Sequence, residues 1–425
     1  MNKSRLEPLG VPNSSYDFGS DFEQQARRKE PGPAARWLIR QLRSRLGESK
    51  VAVCLWDEPV DKDAIASVQF NDAGALWQTL MNPGLNFGDL YSAGRITLNG
   101  DLLAALDAGY QYVANNQPKN RLLAGAKASA KAIAPDLSES KRNIHHHYDL
   151  GNDFYKLWLD KDWMQYTCAY YPEAEMTIEQ AQAAKMHHVA RKLRLKPGER
   201  VVEAGGGWGG LSLFLAKHYG VKIRSFNISK EQINYSREWA KRESLDKLVE
   251  FVEDDFRNIS GTYDAFVSVG MLEHVGPGNF DQMGHLMSRV LTAEGRGLIH
   301  SIGRDRPGRL NDWIDKRIFP GAHPPTLREM MDLFESSGFS VLDVENIRLH
   351  YAETLKDWLS RYEENVEAVR ELFDEAFVRA WRFYLAGSIT AFERGTLQLF
   401  QVVFTRSGMN QIPASRKHIY VDGDS

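Results

Sequence analysis

The stretch Glu203-Ala204-Gly205-Gly206-Gly207-Trp208-Gly209-Gly210 constrains this chain more than any other. The apolar run Arg200-Val201-Val202 precedes it and the helical pattern of residues 209–219 follows it. Strand, glycine loop and helix in that order leave backbone amides bare at a helix N-terminus, where a ligand can approach closely. The natural occupant is a nucleotide-like cofactor. Gly205, Gly207 and Gly210 also satisfy G-x-G-x-x-G, so a dinucleotide has to be weighed. A dinucleotide site wants an acid closing the second strand, to hold ribose hydroxyls. Here that strand ends Ser225-Phe226-Asn227-Ile228-Ser229. Glu203, just ahead of the glycines, suits S-adenosylmethionine instead, its carboxylate orienting the loop or the methionine ammonium. An NAD-dependent oxidoreductase is the weaker alternative.

Beyond Arg200 the pattern alternates. RVVEAG, VKIRSFN, LVEFVED, YDAFVSVG and GRGLIHSIG read as successive strands with helices between them, and VLDVENIRL and LQLFQVVFTR as late strands, the last a candidate antiparallel member. The fold class expected is α/β, a doubly wound Rossmann-like methyltransferase sheet with a helical insertion from Ala352 to about Thr396. That insertion is longer than a crossover needs and reads as a lid or wall beside the cleft. A smaller mixed, α-rich domain precedes the sheet. The boundaries expected are an arm over 1–33, an N-terminal lipid-associated domain over 34–118, a basic linker over 119–143, the catalytic domain over 144–408 and a tail over 409–425.

A chain of 425 residues is long for one core. Its net charge of -3 argues against a general nucleic-acid binder, which carries a basic excess. Cys54 and Cys168 are the only cysteines, far apart, so a disulfide framework is not expected and a reducing cytoplasm fits. No apolar run of membrane-spanning length occurs, so a protein of this kind that works on lipid meets the bilayer from the aqueous side. The Ala-rich, basic stretch from Lys119 to Asn143 reads as a linker or as a segment resting on anionic lipid. His145-His146-His147 lacks a second ligand cluster at zinc-like spacing, so no metal is expected.

Several ordered segments resemble the cyclopropane fatty acyl phospholipid synthase family, to which the mycolic acid methyltransferases are related. They include HHYDLGNDFYKLWLD, MQYTCAYY, EAGGGWGGL, ISKEQINYS, VSVGMLEHVGPGNF, LIHSIG, WIDKRIFPG and HYAETLKDW, and NFGDLYSAGRITLNGDL resembles that family's N-terminal domain. The resemblance implies transfer of a methyl group from S-adenosylmethionine to the double bond of unsaturated acyl chains in membrane phospholipids. It implies a peripheral location at the inner face of the membrane and allows a homodimer. Tyr166 and Thr167 would touch the cofactor with Glu203, Gly205, Gly207 and Asn227, Gln232 would lie on the ribose side, and Asp254 and Asp255 at the adenosine end. Two residues depart from the family's loop: its usual Asp and Cys are here Glu203 and Gly206.

Methyl transfer to an alkene leaves a carbocation that must lose a proton before a ring closes, so an apolar site needs a base. The resemblance implies a bound bicarbonate held by Cys168, Glu273, His300, Ile302 through its backbone, and Tyr351. His and Tyr side chains and backbone amides suit a small anion. Glu273 fits only if a shared proton or His300 balances its charge. The aromatic residues Trp313, Tyr351, Trp358, Trp381, Phe383 and Tyr384 are candidates for an acyl channel or for core. Other fates of the cation give a methylene or methyl-branched chain. A non-catalytic lipid-binding protein is the reading from another class.

Overall fold

The computed structural model describes residues 30–46, 50–115 and 150–420. The N-terminal arm, the basic segment of residues 119–143 and His145-His146-His147 lie outside the described residues. The chain forms two compact units whose segments interleave.

One unit gathers the N-terminal elements with Arg309–Pro320 and Leu355–Arg394. Its sheet has β1 (Val51–Cys54) parallel to β2 (Ala66–Phe70), which pairs antiparallel with β3 (Ile96–Gly100). Ile39, Leu55, Phe70, Leu76 and Ile96 make its core. The helix Glu375–Glu393 packs on the helices Pro83–Ser92 and Leu102–Asn115. Phe383 projects from it between Phe87, Tyr91 and Trp313 at ring separations of 5.8, 5.3 and 5.2 Å. Asp89 accepts from Trp313 Nε1 at 3.0 Å and pairs with Arg317 at 2.9 Å, and Arg394 pairs with Asp107. Helices read from sequence as a lid therefore supply core to this unit. Trp313, Trp358 and Trp381 are fully buried in this unit.

The other unit holds a seven-stranded sheet. Its strands are β4 (Arg200–Ala204), β5 (Lys222–Asn227), β6 (Val249–Glu253), β7 (Tyr263–Val269), β8 (Leu291–Arg304), β9 (Phe339–Asn346) and β10 (Leu397–Arg406). Their spatial order is β6-β5-β4-β7-β8-β10-β9. The first five are parallel, and β10 is antiparallel, as the sequence suggested, and lies between β8 and β9. Val201, Val202, Phe266, Leu298 and Ile299 are fully buried, as in a parallel sheet covered on both faces. The chain order reverses between β4 and β7, and such a switch point opens a crevice at the carboxyl ends of the strands. The glycine loop leaves β4 at that point.

Candidate active site

Gly205, Gly207 and Gly209 have φ of +86°, +53° and +87°, which only glycine adopts without cost. The amides of Gly205 and Gly206 donate to Phe226 O, folding the loop back over β5. Behind the loop Glu203 is buried, with Ser212 Oγ and Ser225 Oγ both donating to its Oε2, at 2.5 and 2.8 Å. Burial pushes the Glu203 carboxyl up, and the two hydroxyls oppose that shift. A Cβ on Gly206 would stand 1.9 Å from Ser225 Oγ and 3.2 Å from Glu203 Oε2. Ser225, with the Glu203 carboxyl it bonds, thus fills the space beside Gly206. A Cβ on Gly207 would meet nothing within 4 Å, so this glycine faces the open crevice.

Around the crevice, Asn227 Nδ2 donates to Gly207 O at 3.1 Å and to Gln232 Oε1 at 2.8 Å. Gln232 is buried in the first turn of the helix Lys230–Arg242, and its Nε2 has no partner among the described residues. A buried orphan donor beside the glycine loop fits a ligand acceptor such as a ribose hydroxyl. Asp254 follows β6; its amide donates to Asn227 O, and its Oδ1 accepts from the Asp255 amide and from Asn258. Asp255 is buried and caps the next turn by accepting from the Arg257 amide.

Tyr166 and Thr167 lie on the segment before Cys168. Tyr166 packs against Tyr155 and Trp158, and Thr167 against Gly270 at the end of β7, where a Cβ would come within 2.9 Å of its methyl. This segment rests on a residue that sequence reading missed. Lys185, fully buried on the helix Ile178–Leu193, donates to Gln165 Oε1 at 2.5 Å and Thr167 Oγ1 at 2.9 Å. Gln182, Lys185, His188 and Lys192 share the buried face of that helix. Their three- and four-residue spacing was the available signal.

Hydrogen bonds link the segments that carry Cys168, Glu273, His300 and Ile302. The Gly270 amide, ending β7, donates to His300 O on β8. Ile302 pairs with Leu399 of β10, whose carbonyl accepts from the Ile347 amide. Cys168 Sγ donates to Ala169 O at 3.0 Å and lies 4.0 Å from Ile347 O, and Thr354 Oγ1 accepts from the Ala169 amide. Tyr351 is buried between Ile347 and Thr354. The Ile302 amide donates to Glu273 Oε1 at 2.5 Å, while Glu273 Oε2 and His300 Nε2 are buried without partners among the described residues.

The protonation pattern follows from burial. Burial raises the Glu273 carboxyl to about 7, against the pull of the Ile302 amide. Burial, with Lys185, Lys192 and His188 nearby, holds His300 well below its ordinary value, so the ring is neutral. Gln401 Nε2 donates to His300 Nδ1 at 3.1 Å, which leaves the ring hydrogen on the unpartnered Nε2. Burial raises the Cys168 thiol and keeps it protonated. Glu273 thus keeps a buried carboxyl oxygen with a proton to share near neutrality, and His300 a buried neutral N–H. Among the described residues no cluster of His, Cys, Asp and Glu could hold a metal.

The sheet order and the glycine loop define an S-adenosylmethionine-dependent methyltransferase. Residues 136–402 match the mycolic acid cyclopropane synthetase family, and the chain belongs to it. A Pseudomonas putida protein named "Probable fatty acid methyltransferase" is 34% identical over 364 residues, covering 80% of this chain and 88% of that one. The cyclopropane-fatty-acyl-phospholipid synthase of Escherichia coli strain K12 is 38% identical over 271 residues, covering 64% of this chain and 69% of that one. The crystal structure of a mycolic acid cyclopropane synthase complexed with SAH and CTAB superposes with a TM-score of 0.60 at 27% identity, covering 65% of this chain and 100% of that one.

Proposed function

We propose that this enzyme methylates the double bond of unsaturated acyl chains in membrane phospholipids and closes a cyclopropane ring. The single observation behind the ring-closing step is the pair of buried, unpartnered atoms Glu273 Oε2 and His300 Nε2. The phospholipid substrate is supported by the 38% identity to a protein named for that activity.

S-adenosylmethionine supplies an electrophilic methyl on its sulfonium. As the alkene's electron pair forms the new C–C bond, the S–C bond breaks and a carbocation is left on the neighbouring acyl carbon. Loss of a proton from the new methyl gives the electron pair that closes the ring. Bicarbonate, held by Glu273, His300, Tyr351 and Cys168, would supply the base. Glu273, fixed at Oε1 by the Ile302 amide, would turn Oε2 to that anion and would share its proton with it, which would remove the repulsion two full charges feel. His300 would give its Nε2 hydrogen to the anion while staying neutral. Cys168 remains a thiol and is no nucleophile. Keeping these groups buried excludes bulk water, which would quench the cation as an alcohol.

The substrate lies in a bilayer, and among the described residues no helix is long and apolar enough to cross one. Access then comes by docking at the membrane surface, with the basic stretch from Lys119 to Arg142 as the contact.

Incubation with S-adenosylmethionine and vesicles of an unsaturated phospholipid, followed by mass spectrometry of the acyl chains against chromatographic standards, tests the reading. A product with one added CH2 and no double bond, co-eluting with the cyclopropane standard, is expected. A methylene or methyl-branched product would overturn ring closure and leave methyl transfer standing.

A further inference from the structure

Lys185 bears a charge in a place where charge is costly. Its ammonium, with no exposure, bonds to two neutral oxygens, Gln165 Oε1 and Thr167 Oγ1. The acids that face it are engaged elsewhere. Asp160 accepts from the amides of Trp163 and Gln165, each at 2.7 Å, and Glu203 accepts from Ser212 and Ser225. The Cys168 thiol is the remaining titratable neighbour. A buried cation held this way destabilises the fold relative to an apolar side chain of similar length. An anion of a ligand would offset that cost.

The hydrogen-bond polarity says where. An ammonium has only hydrogens to give, so Thr167 Oγ1 must accept in its bond to Lys185. The hydroxyl hydrogen of Thr167 then turns elsewhere, and no acceptor among the described residues takes it. Thr167 leans on Gly270 at the carboxyl end of β7, beside the switch point where the glycine loop leaves β4.

We propose that Lys185 is a positioning residue for the carboxylate of the cofactor's methionine: it fixes Thr167 as acceptor on one side and aims the Thr167 hydroxyl hydrogen at that carboxylate. This rests on the reading that Thr167 touches S-adenosylmethionine. Burial lowers the Lys185 ammonium to about 8, with Asp160 opposing, so the charge is largely present at neutral pH.

Calorimetry with two ligands tests it: S-adenosylmethionine, and its decarboxylated analogue, which lacks only the carboxylate. Lys185→Met and Thr167→Val should each weaken S-adenosylmethionine by about tenfold to a hundredfold, the range of a lost charge-assisted hydrogen bond. The analogue should change by less than about threefold. Thr167→Ser should retain affinity, and the double variant should be no worse than the weaker single one. Equal losses for both ligands would reduce Lys185 to a structural role and overturn the proposal. Unchanged S-adenosylmethionine affinity in Thr167→Val, which reports even if Lys185→Met does not fold, would overturn it too. Failure of the parent protein to bind S-adenosylmethionine at all would instead strike the site reading on which it rests.

Discussion

The backbone amide of Ile302 donates to Glu273 Oε1, which ties the short helix after β7 to the end of β8 and leaves the other carboxyl oxygen buried and unpartnered. The consequence is a dependence of stability on pH. Burial raises Glu273 from its ordinary 4.5 to about 7, so the folded protein holds this proton more tightly than the unfolded chain. The stability it contributes is full below pH 4.5 and is lost as pH rises through about 7. Glu273→Gln, which cannot ionise, should flatten the fall of Tm between about pH 5 and about pH 8. Thermal melts with the same slope in parent and variant would show that Glu273 does not titrate there.

The coupling of Gly206 to Ser225 predicts a specific rescue. Gly206→Ala places a Cβ 1.9 Å from Ser225 Oγ, which forces the loop off Glu203. Overpacking of this kind costs about 1–3 kcal/mol. S-adenosylmethionine affinity should fall by about tenfold or more. Adding Ser225→Ala, which removes the clashing oxygen, should recover most of it. The Cβ of Gly207→Val meets no protein atom within 4 Å, so the side chain should abolish binding by filling the crevice, with backbone strain of about 1–2 kcal/mol as its cost to the fold. Calorimetry on folded variants checks both, and tight binding by Gly207→Val would remove the loop from the cofactor site.

Docking at a bilayer through Lys127, Lys131, Lys141 and Arg142 should be electrostatic. Neutralising all four should weaken sedimentation with anionic vesicles, by ~1 kcal/mol per charge at low salt. The difference from the parent should shrink as salt shortens the Debye length. Equal binding by parent and variant at low salt would leave this stretch a linker.

Much of the fold was legible because its signals are local. The apolar runs beginning at Arg200, Val221, Leu248 and Tyr263 each carry a strand, and the glycines after Ala204 mark the switch point. The cluster around Glu273 and His300 was legible only through the resemblance, since nothing local distinguishes His300 from a core histidine. Two things were hidden. Glu375–Glu393 has the pattern of any amphipathic helix, and only the long-range packing of Phe383 on Phe87 and Tyr91 places it with the N-terminal elements. Lys185 carries only a weak local signal, its helical spacing with Gln182, His188 and Lys192, and the tertiary fold that brings Gln165 and Thr167 over it is what makes it a site residue.

The measurement that bears most directly on the account is turnover of an unsaturated phospholipid by Glu273→Gln and Tyr351→Phe, with S-adenosylmethionine affinity measured on the same preparations. If these residues hold the base that takes the proton after methyl transfer, each variant should lose kcat by ~10² or more, the range of a general base. Cofactor affinity should stay within about twofold of the parent. Parent turnover should also fall in buffer stripped of carbon dioxide and recover on adding bicarbonate. Near-parental kcat in both variants would contradict the anion site, while the methyltransferase fold and its glycine loop would stand.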